Sequence, residues 1–363
     1  MRSVVGFPMR ARLPLLLLGA ALLFGACRPP DADLQPEETV EVPAEGEVVV
    51  YVETPRSLTG PLLKMIADRS GMTVQAVYQE DAPDQFLTRL HQEAVAGRAD
   101  VFLGNGSLTA VGLAREGLAT PYRAARARPV PPQYHDPGFR WLGYAGNPRV
   151  IAYNRDLIDR SEAPESLDAL FTGPWAGKAA MTRPTLGSSA FQAAALISRL
   201  GDERGVDFYR KAAAAGNRLV DGDAEVRRLV ASGEVAWGVL DFDQATLAGR
   251  EAQPVGLRIP DGLGYGAVVV PHVAMLLRGA PHPAQARGCI DRLFGGNVTR
   301  MLGESDNALL TFLPIVSMGI KKPEWLPLLG ALNVLPVDNE QAFDAFARHR
   351  EFLAGLGARP SAP

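Results

Sequence analysis

Three groups of residues in this 363-residue chain carry side chains able to grip a small solute. The first is Gly187-Ser188-Ser189, at the expected start of an alanine-rich helix. Unpaired N–H groups at a helix start point outward and the helix dipole favours negative charge, so small residues and hydroxyls there suit an anion. Serine is also a preferred helix cap, and an ordinary cap is the alternative reading. The second group is Asp241-Phe242-Asp243, behind an apolar run over 235–240. Its carboxylates suit a cation or the hydroxyls of a polar solute; the alternative is a strand-end turn that uses aspartate for its own backbone. The third group is dispersed. Tyr51, Glu53 and Thr54 close one expected strand, Asn105 and Ser107 close another, and Tyr265 precedes a third within Gly264-Tyr265-Gly266.

Constellations for catalysis are poor. Five histidines (His91, His135, His272, His282, His349) are scattered, and none forms a close metal-binding pair such as HExxH. No GxSxG elbow occurs, and Gly104-Asn105-Gly106-Ser107 lacks the lysine of a phosphate-binding loop. Ser188 is a conceivable nucleophile without an identifiable base. No catalytic residue is assigned, and a cleft hydrolase is the remote alternative. His282, between two prolines, reads as the structural entrance of a helix, and Cys289 as a buried helical residue.

The elements that would position these groups follow a βαβ rhythm. Strands are expected over 47–52, 72–78 and 99–103, with helices over 59–70 and 84–96 between them. A second series has strands over 141–144 and 150–154, a turn-helix near 166–171, and a strand over 178–181. Helices over 186–200, 207–215 and 223–232 follow, with strands at 220 and 235–240. The chain returns through an apolar strand over 267–277 and a helix over 283–294. Open sheets of this kind bind ligands outside the carboxyl ends of their strands, where the three groups lie. No internal repeat is visible.

The amino-terminal stretch sets the address. Arg2, Arg10 and Arg12 precede an apolar run over 13–26, which ends in Leu23-Phe24-Gly25-Ala26-Cys27. That is the layout of a secretory signal, and the run is too short to span a bilayer comfortably. Its ending resembles the bacterial lipobox, which implies lipidation of Cys27 after cleavage; Met9 is as good a start as Met1. Residues 27–46, rich in Pro, Glu, Asp and Ala, read as a disordered tether. Beyond residue 26 there are 34 basic and 40 acidic residues, which argues against a nucleic-acid partner. Acylation of Cys27 would leave Cys289 without a disulfide partner.

In order and spacing, several landmarks resemble the bacterial extracellular solute-binding proteins of ABC importers, in particular their ferric-iron-binding branch. They are Val49-Val50-Tyr51, Gly97-Arg98-Ala99-Asp100-Val101-Phe102, Val150-Ile151-Ala152-Tyr153-Asn154 and Pro174-Trp175-Ala176-Gly177-Lys178. Pro184-Thr185-Leu186-Gly187-Ser188-Ser189, Ser232-Gly233-Glu234-Val235-Ala236-Trp237-Gly238 and Gly279-Ala280-Pro281-His282-Pro283 continue the series. The resemblance implies an α/β, two-lobed, periplasmic-binding-protein-like (type II) fold, with hinge strands between doubly wound lobes. Lobe 1 would comprise 47–142 and 267–312, and lobe 2 would comprise 143–266 and 313–357, with the helix through 341–353 packed across the second. It further implies a monomeric, non-enzymatic receptor, exported and lipid-anchored, facing the periplasm or cell surface and serving an ABC permease and its ATPase. The cargo implied is ferric iron or another metal ion with a synergistic anion, held by Glu53, Asp241 and Asp243; an organic or phosphorylated anion is the alternative. Iron-binding relatives carry two adjacent tyrosines where this chain has Asp241-Phe242-Asp243-Gln244, a departure that removes the strongest ligands for Fe(III).

Overall fold

The computed structural model describes residues 46–260, 265–304, 309–314 and 329–356. All of them fall within one compact unit, Glu41–Pro363. The signal, Cys27 and nearly all of the tether read from the sequence lie outside the described residues.

The first series comprises β1 (Glu47–Val52), α1 (Arg56–Ser70), β2 (Thr73–Tyr78), α2 (Pro83–Val95), β3 (Val101–Asn105) and α3 (Leu108–Arg115). Then come β4 (Leu142–Asn154), β5 (Ala179–Thr182), α4 (Gly187–Leu200), α5 (Asp202–Ala214), β6 (Arg218–Val220) and α6 (Asp223–Ala231). β7 (Trp237–Asp241), α7 (Phe242–Arg250), β8 (Val255–Arg258) and β9 (Val269–Leu276) follow. The last elements are α8 (Pro283–Leu293), α9 (Gly296–Glu304), β10 (Leu310–Thr311) and α10 (Asn339–Gly355).

One sheet runs through the molecule in the order β2-β1-β3-β9-β4-β7-β5-β6, with β8 and β10 also paired to β4. β1 is parallel to β2 and β3, and β5 is parallel to β6 and β7. These two parallel groups are joined by antiparallel β9 and β4. β4 makes the join. Over 142–148 it pairs with β9, and over 149–153 with β7, so a single strand about 43 Å long serves both halves. The sequence reading gives two strands here, over 141–144 and 150–154, and the gap between them holds Gly146-Asn147-Pro148. In the structure those residues stay in register with Pro271, Val270 and Val269.

Local sequence explains what surrounds the sheet. β1 is buried at Val48 and from Val50 to Val52, as suits a strand covered on both faces. Helix α1 stops at Gly71, whose φ of 71° is the left-handed conformation a glycine adopts without strain. His282 is the residue at the start of α8, and its backbone N–H and ring both bond to buried Asp100. Cys289 is buried and free. Helix α10 is capped by Asp338, which accepts from the N–H groups of Glu340 and Gln341. It packs on α4 and also on α3, more broadly than the expected packing across one lobe.

Candidate ligand cleft

A cleft of about 340 Å³ opens at the carboxyl ends of β3, β5 and β7. It is near the lower end of the ~300–1,000 Å³ range of small-molecule sites. Six of the residues expected from the sequence line it: Asn105, Gly187, Ser188, Ser189, Asp241 and Asp243. Asn147, Thr182, Asp223, Gln244 and His272 add polar groups, while Pro55 and Leu58 add apolar surface.

Helix α4 presents its first turn to this space. Leu186 precedes it in an extended conformation without a side-chain cap, and Gly187 turns the chain at φ 47°. The N–H groups of Gly187, Ser188 and Ser189 are engaged by no other described residue. The two hydroxyls differ in role. Ser189 Oγ donates to the Thr182 carbonyl at 2.8 Å and is turned inward. Ser188 Oγ donates to Asp241 Oδ2 at 2.6 Å and lies 3.3 Å from Asn105 Oδ1, linking the ends of β3 and β7.

Below this turn lies a buried charge network. Arg149, on β4, is 1% exposed and bonds Asp223 at 2.5 Å and Asp241 at 2.9 Å through Nη1. Its Nε donates to Gln192 and its Nη2 to the Val239 carbonyl. Burial alone would lower the Arg149 pKa, but Asp223 and Asp241 outweigh it and hold the guanidinium charged. Asp223 also accepts from the Thr182 hydroxyl and the Asp241 N–H. Burial raises the pKa of Asp241; Arg149 opposes the shift, while Asp223 and Asp243 reinforce it. Burial raises Asp243 as well, against a 2.9 Å hydrogen bond from Asn147. Asp223 and Asp241 thus share one arginine while Asp243 pairs with Asn147, leaving acceptor capacity turned towards the cleft.

The other expected site residues lie elsewhere. Tyr51 is interior to β1, where side chains alternate; it faces away from Val50 and Val52 and packs on Phe86 at 5.8 Å between ring centres. Glu53 does not line the cleft. It accepts from Thr109 Oγ1 at 2.6 Å and from the Asn105 N–H at 3.3 Å, so it joins the end of β3 to the first turn of α3. Burial pushes its pKa up to about 7, against those two bonds. Thr54 is buried outside the cleft lining. The Ser107 hydroxyl bonds Asn339 Oδ1 at 2.7 Å and ties the start of α3 to α10. Tyr265 packs on the core formed with Val268 and Val270. Glu53 thus lies outside the lining that holds Asp241 and Asp243, and among the described residues no three His, Cys, Asp or Glu side chains are grouped to hold a metal ion.

Sequence reasoning missed Arg149, Asn147, Asp223 and His272 as site residues. Arg149 and His272 each left a signal: a lone polar residue in or beside an otherwise apolar strand. Such a residue needs a partner once buried.

The two halves joined by shared strands, with a polar cleft at the strand ends, define a two-lobed solute-binding protein of the periplasmic type II fold. The chain belongs to the bacterial extracellular solute-binding protein family, whose sequence profile matches residues 99–323. Among solved structures it is similar to the apo ferric ion-binding protein A of Pasteurella haemolytica, at 18% identity and TM-score 0.76, covering 87% of this chain and 99% of that one. Iron-bound HitA from Pseudomonas aeruginosa matches at 20% identity and TM-score 0.72, over 86% and 99% of the two chains. AfuA from Actinobacillus pleuropneumoniae, solved with fructose-6-phosphate, matches at 16% identity and TM-score 0.72, over the same shares. At these identities the likeness establishes the fold. No helix among the described residues is long and apolar enough to cross a membrane.

Proposed function

We propose that this protein is the receptor of an ABC importer and that its cargo is a hydroxylated organic anion, of which a sugar phosphate is the simplest case. The observation that carries this reading is the meeting of two chemistries in one cleft. Unengaged N–H groups at the start of α4 suit a phosphate or carboxylate, while Asp241, Asp243, Asn105 and Asn147 beside them accept hydrogen bonds from hydroxyls. Arg149 offsets part of the acidic charge that the anion would meet. The volume suits an organic molecule, and AfuA offers a precedent of the same fold solved with a sugar phosphate.

A metal cargo, ferric iron above all, is the second reading. It is favoured by iron-bound HitA, while Glu53, committed to Thr109, does not line the cleft that holds Asp241 and Asp243. In both readings 47–142 with 267–312 form one lobe and 143–266 with 313–357 the other. β4 and β9 act as hinge strands, and the ligand shifts the population towards a closed form. The protein binds its cargo without turnover and hands it to a permease driven by an ATPase. It acts as an exported monomer, held by lipid on Cys27, with 27–46 as its tether.

A thermal-shift comparison tests the choice. Fructose 6-phosphate should raise the melting temperature of the full chain more than inorganic phosphate does, and ferric citrate should leave it unchanged. Stabilisation by ferric citrate alone would overturn the organic-anion reading, and chemical conversion of the added sugar phosphate would overturn the receptor reading.

A further inference from the structure

One side chain in the cleft lacks the partners that its surroundings provide elsewhere. His272 lies within β9, in register with Asn105 of β3 on one side and Ala145 of β4 on the other. It is 2% exposed and lines the cleft, yet neither Nδ1 nor Nε2 has a hydrogen-bond partner among the described residues. Other buried groups that line the cleft are engaged, Arg149's partner Asp241 by Ser188 and Ser189 by Thr182, while the Tyr144 and Thr54 hydroxyls, outside the cleft lining, are also without a partner among the described residues. A buried polar group without a partner is rare and costly, so an unpaired imidazole on a cleft wall marks where a ligand atom belongs.

The surroundings indicate which kind of atom. The ring of Tyr144 meets His272 edge-on, with 6.1 Å between ring centres. Pro55 and Leu58 line the same cleft and offer contact to carbon rather than to charge. Burial pushes the His272 pKa down to about 4, so the ring is neutral at physiological pH, with one nitrogen donating and the other accepting. A hydroxyl, itself donor and acceptor, or a carbonyl completes such a ring. A neutral imidazole also ligates metals, but the described residues bring no pair of further His, Cys, Asp or Glu donors to it.

We propose that His272 is a specificity subsite of the cleft, hydrogen-bonding one uncharged hydroxyl or carbonyl group on the organic part of the cargo. The subsite rests on the organic-anion reading and deepens it. The α4 turn holds the charged end, and His272 distinguishes an organic anion from the bare inorganic one.

Calorimetric titration of the full chain with fructose 6-phosphate and with inorganic phosphate tests this, in wild type and in His272→Leu and His272→Gln. Wild type should prefer the sugar phosphate, and His272→Leu should reduce that preference about tenfold, with His272→Gln recovering part of it. The leucine variant removes unpaired nitrogens and should melt no earlier than wild type. If it does not fold, the glutamine variant carries the test through a reduced preference of its own. Equal preference in wild type and in the folded variants overturns the subsite and leaves the organic-anion reading standing. Failure of both probes to bind wild type overturns that reading and the subsite with it.

Discussion

Arg149 and Asp241 form a buried ion pair at 2.9 Å that joins the shared strand β4 to the start of α7. Asp241 precedes α7 but does not cap it; its carboxylate turns to Arg149 and to the Ser188 hydroxyl instead. The pair thereby sets the position of the first turn of α4 relative to β7.

Breaking that pair should be costly. Arg149→Met leaves Asp223 and Asp241 buried beside each other without a counter-charge, a loss of about 3–5 kcal/mol. Adding Asp241→Asn should recover part of the loss, because it removes one of the stranded charges. Urea unfolding of the single and double variants reads both effects. An Arg149→Met protein as stable as wild type would mean that the network does not hold the fold.

Asp243 should matter to binding more than to folding. It accepts from Asn147 and faces the cleft outside the arginine pair. Asp243→Ala should weaken fructose 6-phosphate binding about tenfold, the loss of a charged hydrogen-bond acceptor. Unchanged affinity in a calorimetric titration would remove Asp243 from the site.

Glu53 predicts a pH dependence. Its pKa is raised from 4.5 to about 7, so the folded chain keeps a proton that the unfolded chain has already released. Stability from this group is fully present below the unfolded value and is lost as pH rises through about 7. The shift corresponds to at most about 3 kcal/mol. The raised pKa values of Asp241 and Asp243 act in the same direction. Urea unfolding should find wild type less stable at pH 8 than at pH 5, and Glu53→Gln should shrink that difference. An unchanged difference in Glu53→Gln would show that this carboxyl is not the source.

Ser107 separates structure from binding. Its hydroxyl is committed to Asn339 on α10, so Ser107→Ala should cost about 1 kcal/mol of stability. Fructose 6-phosphate affinity should stay within about twofold of wild type. A large loss of affinity without a loss of stability would return Ser107 to the ligand site.

Much of the frame was legible because its signals are local. The apolar run at 47–52 matches β1, and Gly71 ends α1 where a glycine stop is expected. Gly187-Ser188-Ser189 opens α4 onto the cleft, and Asp241 and Asp243 line it as their place behind a strand suggested. What stayed hidden depends on distant partners. Strand alternation puts Tyr51 on the Phe86 side, which needs the true end of β1 to see. Arg149 looks like one charge beside an apolar strand until Asp223 and Asp241, 74 and 92 residues away, are brought to it. Helices α3 and α7 are too short for a clear 3.6-residue period, and each contains a glycine. Continuous β4 was hidden by Gly146-Asn147-Pro148, where tertiary pairing overrides a turn-like tripeptide.

The central claim is that the cleft takes a hydroxylated organic anion at the α4 turn. Parallel calorimetric titrations of the wild-type chain with fructose 6-phosphate and ferric citrate test it most directly. The account predicts saturable one-to-one binding of the sugar phosphate and no comparable saturation by ferric citrate. Saturation by ferric citrate with silence from the sugar phosphate would contradict it.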